Sequence, residues 1–150
     1  MDYGDTIYGN AVPTTLGPLK TAYHSVIRFI TGDAFLTHHC LLYDNVGWPS
    51  LENRRKLHLY MFIFKAFTGK LPPYISSMLN FKSIPHSIRS TGWITFGVPF
   101  MRTDLGKTAF SALAPSTWNK LQDTFKLVEL PSIGKFKELV MDCCTSVCTC

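Results

Sequence analysis

The clearest structural signal in the sequence is the segment Val46-Gly-Trp-Pro-Ser-Leu-Glu-Asn-Arg-Arg-Lys-Leu-His-Leu-Tyr-Met-Phe-Ile-Phe-Lys-Ala-Phe-Thr-Gly-Lys-Leu-Pro-Pro-Tyr74. Ser50 carries the short hydroxyl side chain that helix N-caps prefer, while Gly69 and Pro72-Pro73 are typical of a helix end. The first half is basic, with Arg54-Arg55-Lys56, and the second half is almost wholly apolar. We therefore expect one helix that presents cations from its first half and buries its second half.

The spacing of the apolar residues supports this helix. Arg54, His58 and Lys65 fall on one polar line, and the four-residue spacing of Glu52 and Lys56 predicts an ion pair. The opposite side carries an apolar stripe that we expect to be buried, made of Leu57, Tyr60, Phe64 and Phe67 and widened by Leu59, Ile63 and Ala66.

Upstream, Pro18 and Gly32 are suited to begin and end a second amphipathic helix. Its buried face is predicted at Leu19, Tyr23, Val26 and Ile30. A short helix or an irregular link is expected over residues 33–47. The first dozen residues suggest one or two helical turns, weakened by two glycines.

Downstream, Pro72-Pro73 is expected to begin a short helix, and residues 80–92 are polar and rich in turn formers. Trp93–Val98 alternates as a strand does and could pair antiparallel with residues 108–113, which predicts a small β-hairpin near 93–113. Two further helices are expected. The first begins at Pro115 and carries Trp118 and Leu121, and the second is capped by Ser132 and carries Phe136, Leu139, Val140 and Cys143 on one face. The predicted fold class is α+β, predominantly helical.

Composition limits the classes of protein to which the chain can belong. Its 150 residues, 46% of them hydrophobic, suit one folded core and argue against disorder. The apolar run 57–67 is interrupted by His58 and Lys65 and is too short to span a bilayer. The first residues show no secretory signal, so we expect a cytoplasmic or nuclear protein with free thiols, not a secreted one.

The net charge of +5 is concentrated in the middle of the chain. Residues 1–50 have a net charge of −2, residues 51–110 of +7, and residues 111–150 of zero. Such asymmetry favours a polyanionic partner, with RNA or DNA before acidic lipid. The predicted phosphate contacts are Arg54, Arg55, Lys56, Lys65, Lys70, Arg89, Arg102 and Lys107.

Aromatic residues near these cations could stack on bases, and the candidates are Trp93, Phe96 and Phe100. The competing interpretation is that the aromatic residues belong to the core and that the cations form a solvated surface. In either case the cations would recognise no particular base sequence.

No set of residues in the sequence supports catalysis. Gly106-Lys107-Thr108 resembles part of a phosphate-binding loop, but the motif requires a glycine where the chain has Met101. A Cys40–His39 or Cys40–His24 nucleophile would lack an orienting third group. Tyr3-Gly4-Asp5 lacks the further carboxylates of a two-metal centre. We therefore expect no enzymatic activity, no cofactor and no small-molecule substrate.

A zinc site is the remaining chemical alternative. Four cysteines, Cys143, Cys144, Cys148 and Cys150, stand near the end of the sequence, and His38-His39-Cys40 stands upstream. Structural zinc sites usually pair ligands two to four residues apart, which Cys144 and Cys148 match loosely, whereas adjacent cysteines diverge on a helix. On this basis no metal ligand is assigned.

The succession of motifs resembles the region that follows the polymerase core in LINE-type (non-LTR) retrotransposon reverse transcriptases. No single motif is specific, but together they follow the family's order over nearly the full length. The matching segments are Asp2-Tyr-Gly-Asp-Thr-Ile-Tyr8, Tyr23-His-Ser-Val-Ile-Arg-Phe-Ile-Thr-Gly32, Val46-Gly-Trp-Pro-Ser-Leu51, Arg54-Arg55, Phe64-Lys-Ala-Phe-Thr-Gly-Lys-Leu-Pro-Pro-Tyr74, Arg102-Thr103, Gly106-Lys-Thr-Ala-Phe-Ser111, Ala114-Pro115, Trp118-Asn119 and Phe136-Lys137.

The resemblance implies that residues 1–45 are the end of a reverse-transcriptase thumb and that residues 46–150 are the C-terminal region that follows the polymerase. Such a region would help to hold RNA and DNA during target-primed reverse transcription, while the catalytic palm would lie before Met1. Two alternatives remain open. The chain could be a structural module that packs through helix 51–67 on the missing polymerase domains, or a transposon-derived open reading frame without a selected function.

Overall fold

The computed structural model describes residues 4–81 and 92–144, except the side chains of Cys143 and Cys144. This part of the chain is predominantly helical, as the sequence predicts, and none of its helices is long and apolar enough to cross a membrane. The helices are α1 (Asp5–Tyr8), α2 (Pro13–Thr31), α3 (His39–Val46), α4 (Leu51–Phe67), α5 (Pro73–Ser76), α6 (Asp104–Thr108), α7 (Phe110–Phe125) and α8 (Ile133–Cys144).

The chain divides into two compact units. Unit 1 comprises residues 1–58 and 137–150, and unit 2 comprises residues 59–136. These two units are defined by how the residues pack. The domain boundary predicted between residues 45 and 46 comes instead from the family resemblance, and it stays a prediction.

The ends of α4 confirm the local prediction. The Oγ of Ser50 accepts a hydrogen bond from the backbone N–H of Asn53 at 3.2 Å. At the other end Gly69 has a φ of +68°, and the N–H of Lys70 donates to the carbonyl of Lys65 at 2.9 Å. This is the Schellman arrangement, which requires a left-handed residue and therefore favours glycine. The ion pair between Glu52 and Lys56 is also present, at 3.1 Å.

The start and the buried face of α2 differ from the prediction. The helix begins at Pro13, so Pro18 lies inside it, although Gly32 ends it as expected. Its buried residues are Tyr23 and Ile27, whereas Val26 and Ile30 are 45% and 57% exposed. The predicted face was wrong by one position on its C-terminal side, since spacings of three and of four both satisfy the helical pattern.

Unit 1 has a small core between α2, α3 and the start of α4. It consists of Tyr23, Ile27, Leu42, Tyr43 and Leu51, with Leu19 and Val46 packed against it. The hydroxyl of Tyr23 donates to the carbonyl of Pro49 at 3.1 Å, so the buried phenol has a polar partner. Residues 33–47 are thus partly a short helix, α3, as expected.

Unit 2 has an aromatic core. The Phe64 and Phe136 rings stack with centroids 4.3 Å apart, and the Trp118 ring lies 5.8 Å from Phe136 and 5.9 Å from Phe96. All four side chains are fully buried. The predicted burial of the second half of α4 is confirmed for Ile63, Phe64 and Ala66.

The predicted β-hairpin near 93–113 is wrong. Among the described residues, the segment from Trp93 to Val98 forms only one isolated bridge, between Phe81 and Phe96. Its expected partner, residues 108–113, lies in α6 and α7. Residues 108–113 instead begin a helical pattern that continues through Ala114, Trp118 and Leu121. Consequently α7 begins at Phe110 and contains Pro115, which was expected to be its first residue.

The side chains of α7 replace the missing strand partner. The Nε1–H of Trp118 donates to the carbonyl of Ile94 at 2.7 Å. Asn119 accepts from the backbone N–H of Phe96 and donates to its carbonyl, both at 2.9 Å. The Ile94 N–H donates to the carbonyl of Leu127 at 3.1 Å. These bonds satisfy the backbone of the extended segment, so it has no need of a sheet.

The last helix follows the prediction in part. The Oγ of Ser132 accepts from the N–H of Lys135 at 3.4 Å, and Phe136 and Val140 are buried. Leu139 is partly exposed. The predicted position of the Cys143 side chain lies outside the described part of the chain, as does most of the predicted turn region 80–92.

Candidate nucleic-acid interface

The positive charge of the protein belongs to unit 2. Residues 59–136 contain nine Lys or Arg against three Asp or Glu, a net charge of +6. Unit 1 contains six against seven, a net charge of −1. The division by packing therefore moves the expected polyanion contact from the start of α4 to the second unit.

The predicted contacts in unit 1 already have intramolecular roles. The Arg55 guanidinium carbon lies 5.8 Å from the centroid of the Tyr8 ring, and the Nε and Nη2 atoms of Arg55 are buried. Lys56 is exposed but pairs with Glu52, and Arg54 is half-buried. His58 donates from Nδ1 to the buried carboxylate of Asp5. Several polar side chains in this part of α4 therefore already contact other residues of unit 1.

The predicted contacts in unit 2 are more accessible. Lys65, Lys70 and Arg102 are exposed, and within the described ranges no carboxylate lies within 4.0 Å of their charged nitrogens. Lys107 is exposed but pairs with Asp104 at 2.7 Å, and this hydrogen bond holds the pKa of the Asp104 carboxyl below its usual value. Arg89 lies outside the described residues.

The three aromatic candidates for stacking have different environments. Phe96 is 0% exposed and belongs to the core, so the expectation that it could stack on a base is wrong. Phe100 is 90% exposed and precedes Arg102 by two residues. Trp93 is half-buried, with the Lys126 Nζ 5.7 Å from its ring centroid. No pattern in the sequence singled out Lys126, which is brought to Trp93 by the turn after α7.

The structure does not support a phosphate-binding loop at residues 106–108. Gly106-Lys107-Thr108 lies inside the five-residue helix α6, whose N-cap Thr103 accepts from the N–H of Gly106 at 3.0 Å. The amide that a phosphate would need is therefore already bonded, and Lys107 is directed to Asp104. We assign these residues to a capped surface helix.

A second group of chemically active side chains lies in unit 1. The ligand atoms of His38, His39 and Cys40 all lie within 4.8 Å of one another. The His24 ring stacks on His39 with centroids 5.6 Å apart, and its Nε2 lies 2.5 Å from the Tyr43 hydroxyl. The sequence placed the three consecutive residues in one motif but gave no reason for their side chains to converge.

Burial and neighbouring positive charges act together on two of these imidazoles. Partial burial lowers the pKa of His24 below 6.5, and the charges of His39, Lys20 and Arg28 lower it further. Burial also lowers the pKa of His39, and the positive charges of His38, Lys20 and Arg28 lower it further. Both rings are therefore neutral at pH 7, and the Nε2 of His24 can accept from Tyr43.

Acidification should destabilise unit 1. Because the folded-state pKa of His24 lies below its unfolded value of 6.5, the unfolded chain binds more protons between these two values. The contribution of His24 to the stability of unit 1 should be fully present above pH 6.5. It should decrease as the pH falls below 6.5 and level off below the folded-state pKa of His24. NMR titration of the imidazoles and urea unfolding at pH 7.5 and 5.5 would test this. His24→Gln, which keeps an acceptor for Tyr43, should reduce the pH dependence, and an unchanged dependence would contradict the assignment.

Comparison with protein-family models, with curated proteins and with solved structures finds no match to this chain.

Proposed function

We propose that the protein binds single-stranded RNA or DNA without sequence preference through unit 2, as a non-catalytic accessory to a LINE-type reverse transcriptase. The observation that carries this proposal is the exposure of Lys65, Lys70 and Arg102, without carboxylate partners among the described residues, in a unit with a net charge of +6. The resemblance in motif order supports the choice of partner.

The chemistry of these residues suits a flexible nucleic acid strand. Exposed ammonium and guanidinium groups neutralise phosphates and release their counterions, which produces affinity without base recognition. The exposed ring of Phe100 offers a stacking surface near Arg102 in sequence, and stacking is available to every base. Together the cations and the ring match the way proteins hold single strands.

Charge reversal in unit 2 should weaken binding and flatten its salt dependence. If about four phosphates are neutralised, log K against log[salt] should have a slope near −3 for a single strand. In Lys65→Glu/Lys70→Glu/Arg102→Glu the slope should lose most of this value. Fluorescence anisotropy of a labelled 20-mer RNA over a range of NaCl concentrations would measure it.

A matched control comes from unit 1. Lys20→Glu/Lys56→Glu/Lys137→Glu changes the net charge by the same amount at three exposed positions. If the proposal is correct, this variant should keep a slope close to that of the unmodified chain. Equal losses in the two triple variants would mean that net charge alone attracts RNA, and unit 2 would then not be the binding surface.

Phe100→Ala should weaken single-strand binding with little change in the salt slope. Base stacking on an aromatic side chain contributes about 1–3 kcal/mol, which corresponds to roughly 5- to 150-fold in affinity, and releases no counterion. Leu105→Ala, at another exposed apolar position of unit 2, is the control. An affinity that falls equally in both variants, or in neither, would rule out stacking on Phe100.

A second candidate function, docking on polymerase domains, is supported by exposed apolar side chains in unit 1. Phe29 and the linker residues Phe35 and Leu36 are 82–90% exposed. The originally expected docking helix, α4, has instead buried much of its apolar half in unit 2. Phe29→Ser/Leu36→Ser should reduce binding of a hydrophobic dye without changing RNA affinity. If the chain binds the dye strongly but does not bind RNA at low salt, docking on polymerase domains would be favoured over RNA binding.

A further inference from the structure

The most concentrated group of potential metal ligands in the described residues is formed by His38, His39 and Cys40 of unit 1. It consists of two imidazoles and one thiol, with no carboxylate. We propose that these three side chains bind a thiophilic first-row transition-metal ion, with Zn²⁺ the expected occupant.

The backbone explains how three consecutive side chains can converge. Three consecutive residues inside a helix would spread their side chains over about 200° and could not all face one ion. His38, however, is the N-cap of α3 and has extended backbone angles, φ −64° and ψ 140°. Its side chain therefore turns back over the first helical turn, where Nδ1 accepts from the backbone N–H of Cys40 at 3.4 Å. The rings of His38 and His39 consequently lie with centroids 4.2 Å apart.

The distances are close to those of a zinc site. Tetrahedral zinc with histidine and cysteine ligands places the ligand atoms about 3.3–3.6 Å apart, given its usual bond lengths. Since the three ligand atoms lie within 4.8 Å of one another, a contraction of about 1 Å at the widest pair brings them to zinc distances. Three protein ligands leave a fourth position for water, as in zinc sites that are open to solvent.

The type of ligand selects the class of ion. A thiolate and two imidazoles suit zinc and cobalt, whereas magnesium and calcium prefer oxygen ligands, which this group lacks. The neighbouring cations Lys20 and Arg28 oppose a divalent ion, and the negative charge of the Cys40 thiolate offsets part of that repulsion. The stacked ring of His24 supports His39 from the side and limits its rotation.

Titration with Co²⁺ under reducing conditions tests the site directly, because a cobalt–thiolate bond produces a charge-transfer band and tetrahedral cobalt absorbs in the visible range. The other four cysteines must be silent, so the full chain is prepared with Cys143→Ser, Cys144→Ser, Cys148→Ser and Cys150→Ser. We expect this variant to bind one equivalent of Co²⁺ with a charge-transfer band, and Zn²⁺ to displace the cobalt.

Single substitutions in that background identify the ligands. Cys40→Ser should abolish the charge-transfer band. His38→Asn, which keeps an N-cap acceptor, and His39→Gln should each weaken Co²⁺ binding by more than the roughly tenfold that loss of an outer-shell partner costs. Far-ultraviolet circular dichroism of each variant verifies that the helices persist, and His38→Asn provides the test if Cys40→Ser does not fold.

Three outcomes would overturn the proposal. A band that appears with the original cysteines but not in the four-serine variant would place the metal on the C-terminal cysteines. A band that persists unchanged in both histidine variants would reduce the site to a single thiolate. Failure of Co²⁺ and Zn²⁺ to bind any variant would exclude a metal at this position. None of these measurements involves RNA, so they are independent of the proposed function.

Discussion

Trp118→Ala should destabilise unit 2 by about 3–5 kcal/mol, which is the usual cost of removing a fully buried large aromatic side chain. The Trp118 ring is 0% exposed and lies against Phe96, Phe136 and Phe67, so its removal leaves a cavity that these rigid rings cannot fill. The loss is comparable to the whole stability of a small unit. We therefore expect unit 2 to be largely unfolded at 37 °C in this variant.

Trp118→Phe separates packing from hydrogen bonding. Phenylalanine keeps most of the ring contacts but cannot donate to the carbonyl of Ile94, which loses its 2.7 Å bond. Leaving this partly buried acceptor unpaired costs at most about 1–3 kcal/mol, so this variant should lie between the original chain and Trp118→Ala. Urea unfolding followed by circular dichroism would rank the three. If the Phe and Ala variants were equally unstable, the aromatic packing would not be the main contribution.

Asn119→Leu should have the second largest effect. The Asn119 amide bonds both the N–H and the carbonyl of Phe96, and leucine fills a similar volume without a polar group. Two backbone groups then lose their partners, at about 1–3 kcal/mol each. The expected total is about 2–6 kcal/mol, and because the segment is only partly buried we expect a value in the lower part of this range.

Hydrogen exchange gives a more specific measurement than global stability. The Phe96 amide should lose protection in Asn119→Leu, whereas the amides in the middle of α7 should change only as far as the whole unit is destabilised. Lys120→Leu, at the next and exposed position of the same helix, is the control. Retained protection at Phe96 would show that the segment is held by other contacts, and the role assigned to Asn119 would be wrong.

These two substitutions also connect the fold to the proposed function. Trp118 and Asn119 hold residues 94–96, and the chain continues from there to Phe100 and Arg102 before α6 begins. Phe96 is fully buried, and Phe100, four residues later, is 90% exposed. A mild weakening of the bonds that hold residues 94–96 should therefore reduce RNA affinity before unit 2 unfolds. The reason is that Phe100 and Arg102 would no longer be held in position to bind a strand.

Local chemistry explains which features could be predicted from the sequence. Ser50, Gly69 and Ser132 mark helix ends correctly because an N-cap or a Schellman motif is completed by residues no more than five positions away. The Glu52–Lys56 pair was predictable for the same reason. The charge asymmetry likewise follows from the order of the residues along the chain and does not depend on the fold.

Two errors arose where the local pattern allowed two answers. The short segment 108–113 is compatible with a strand or with the start of a helix, and only the continuation to Trp118 and Leu121 decides between them. On α2, spacings of three and four residues made Val26 and Ile27 equally acceptable as core positions. The neighbouring helix α3 decided for Ile27.

The candidate site depended most on contacts between distant residues. Composition alone indicated a basic protein with aromatic residues in its middle, and the order of its motifs suggested a nucleic-acid partner. Only the tertiary structure separated Phe96 from Phe100, because the bonds from Asn119 that bury one of them join residues 23 positions apart. The same holds for His38, His39 and Cys40: the sequence places them side by side, but the non-helical backbone of an N-cap brings their side chains together.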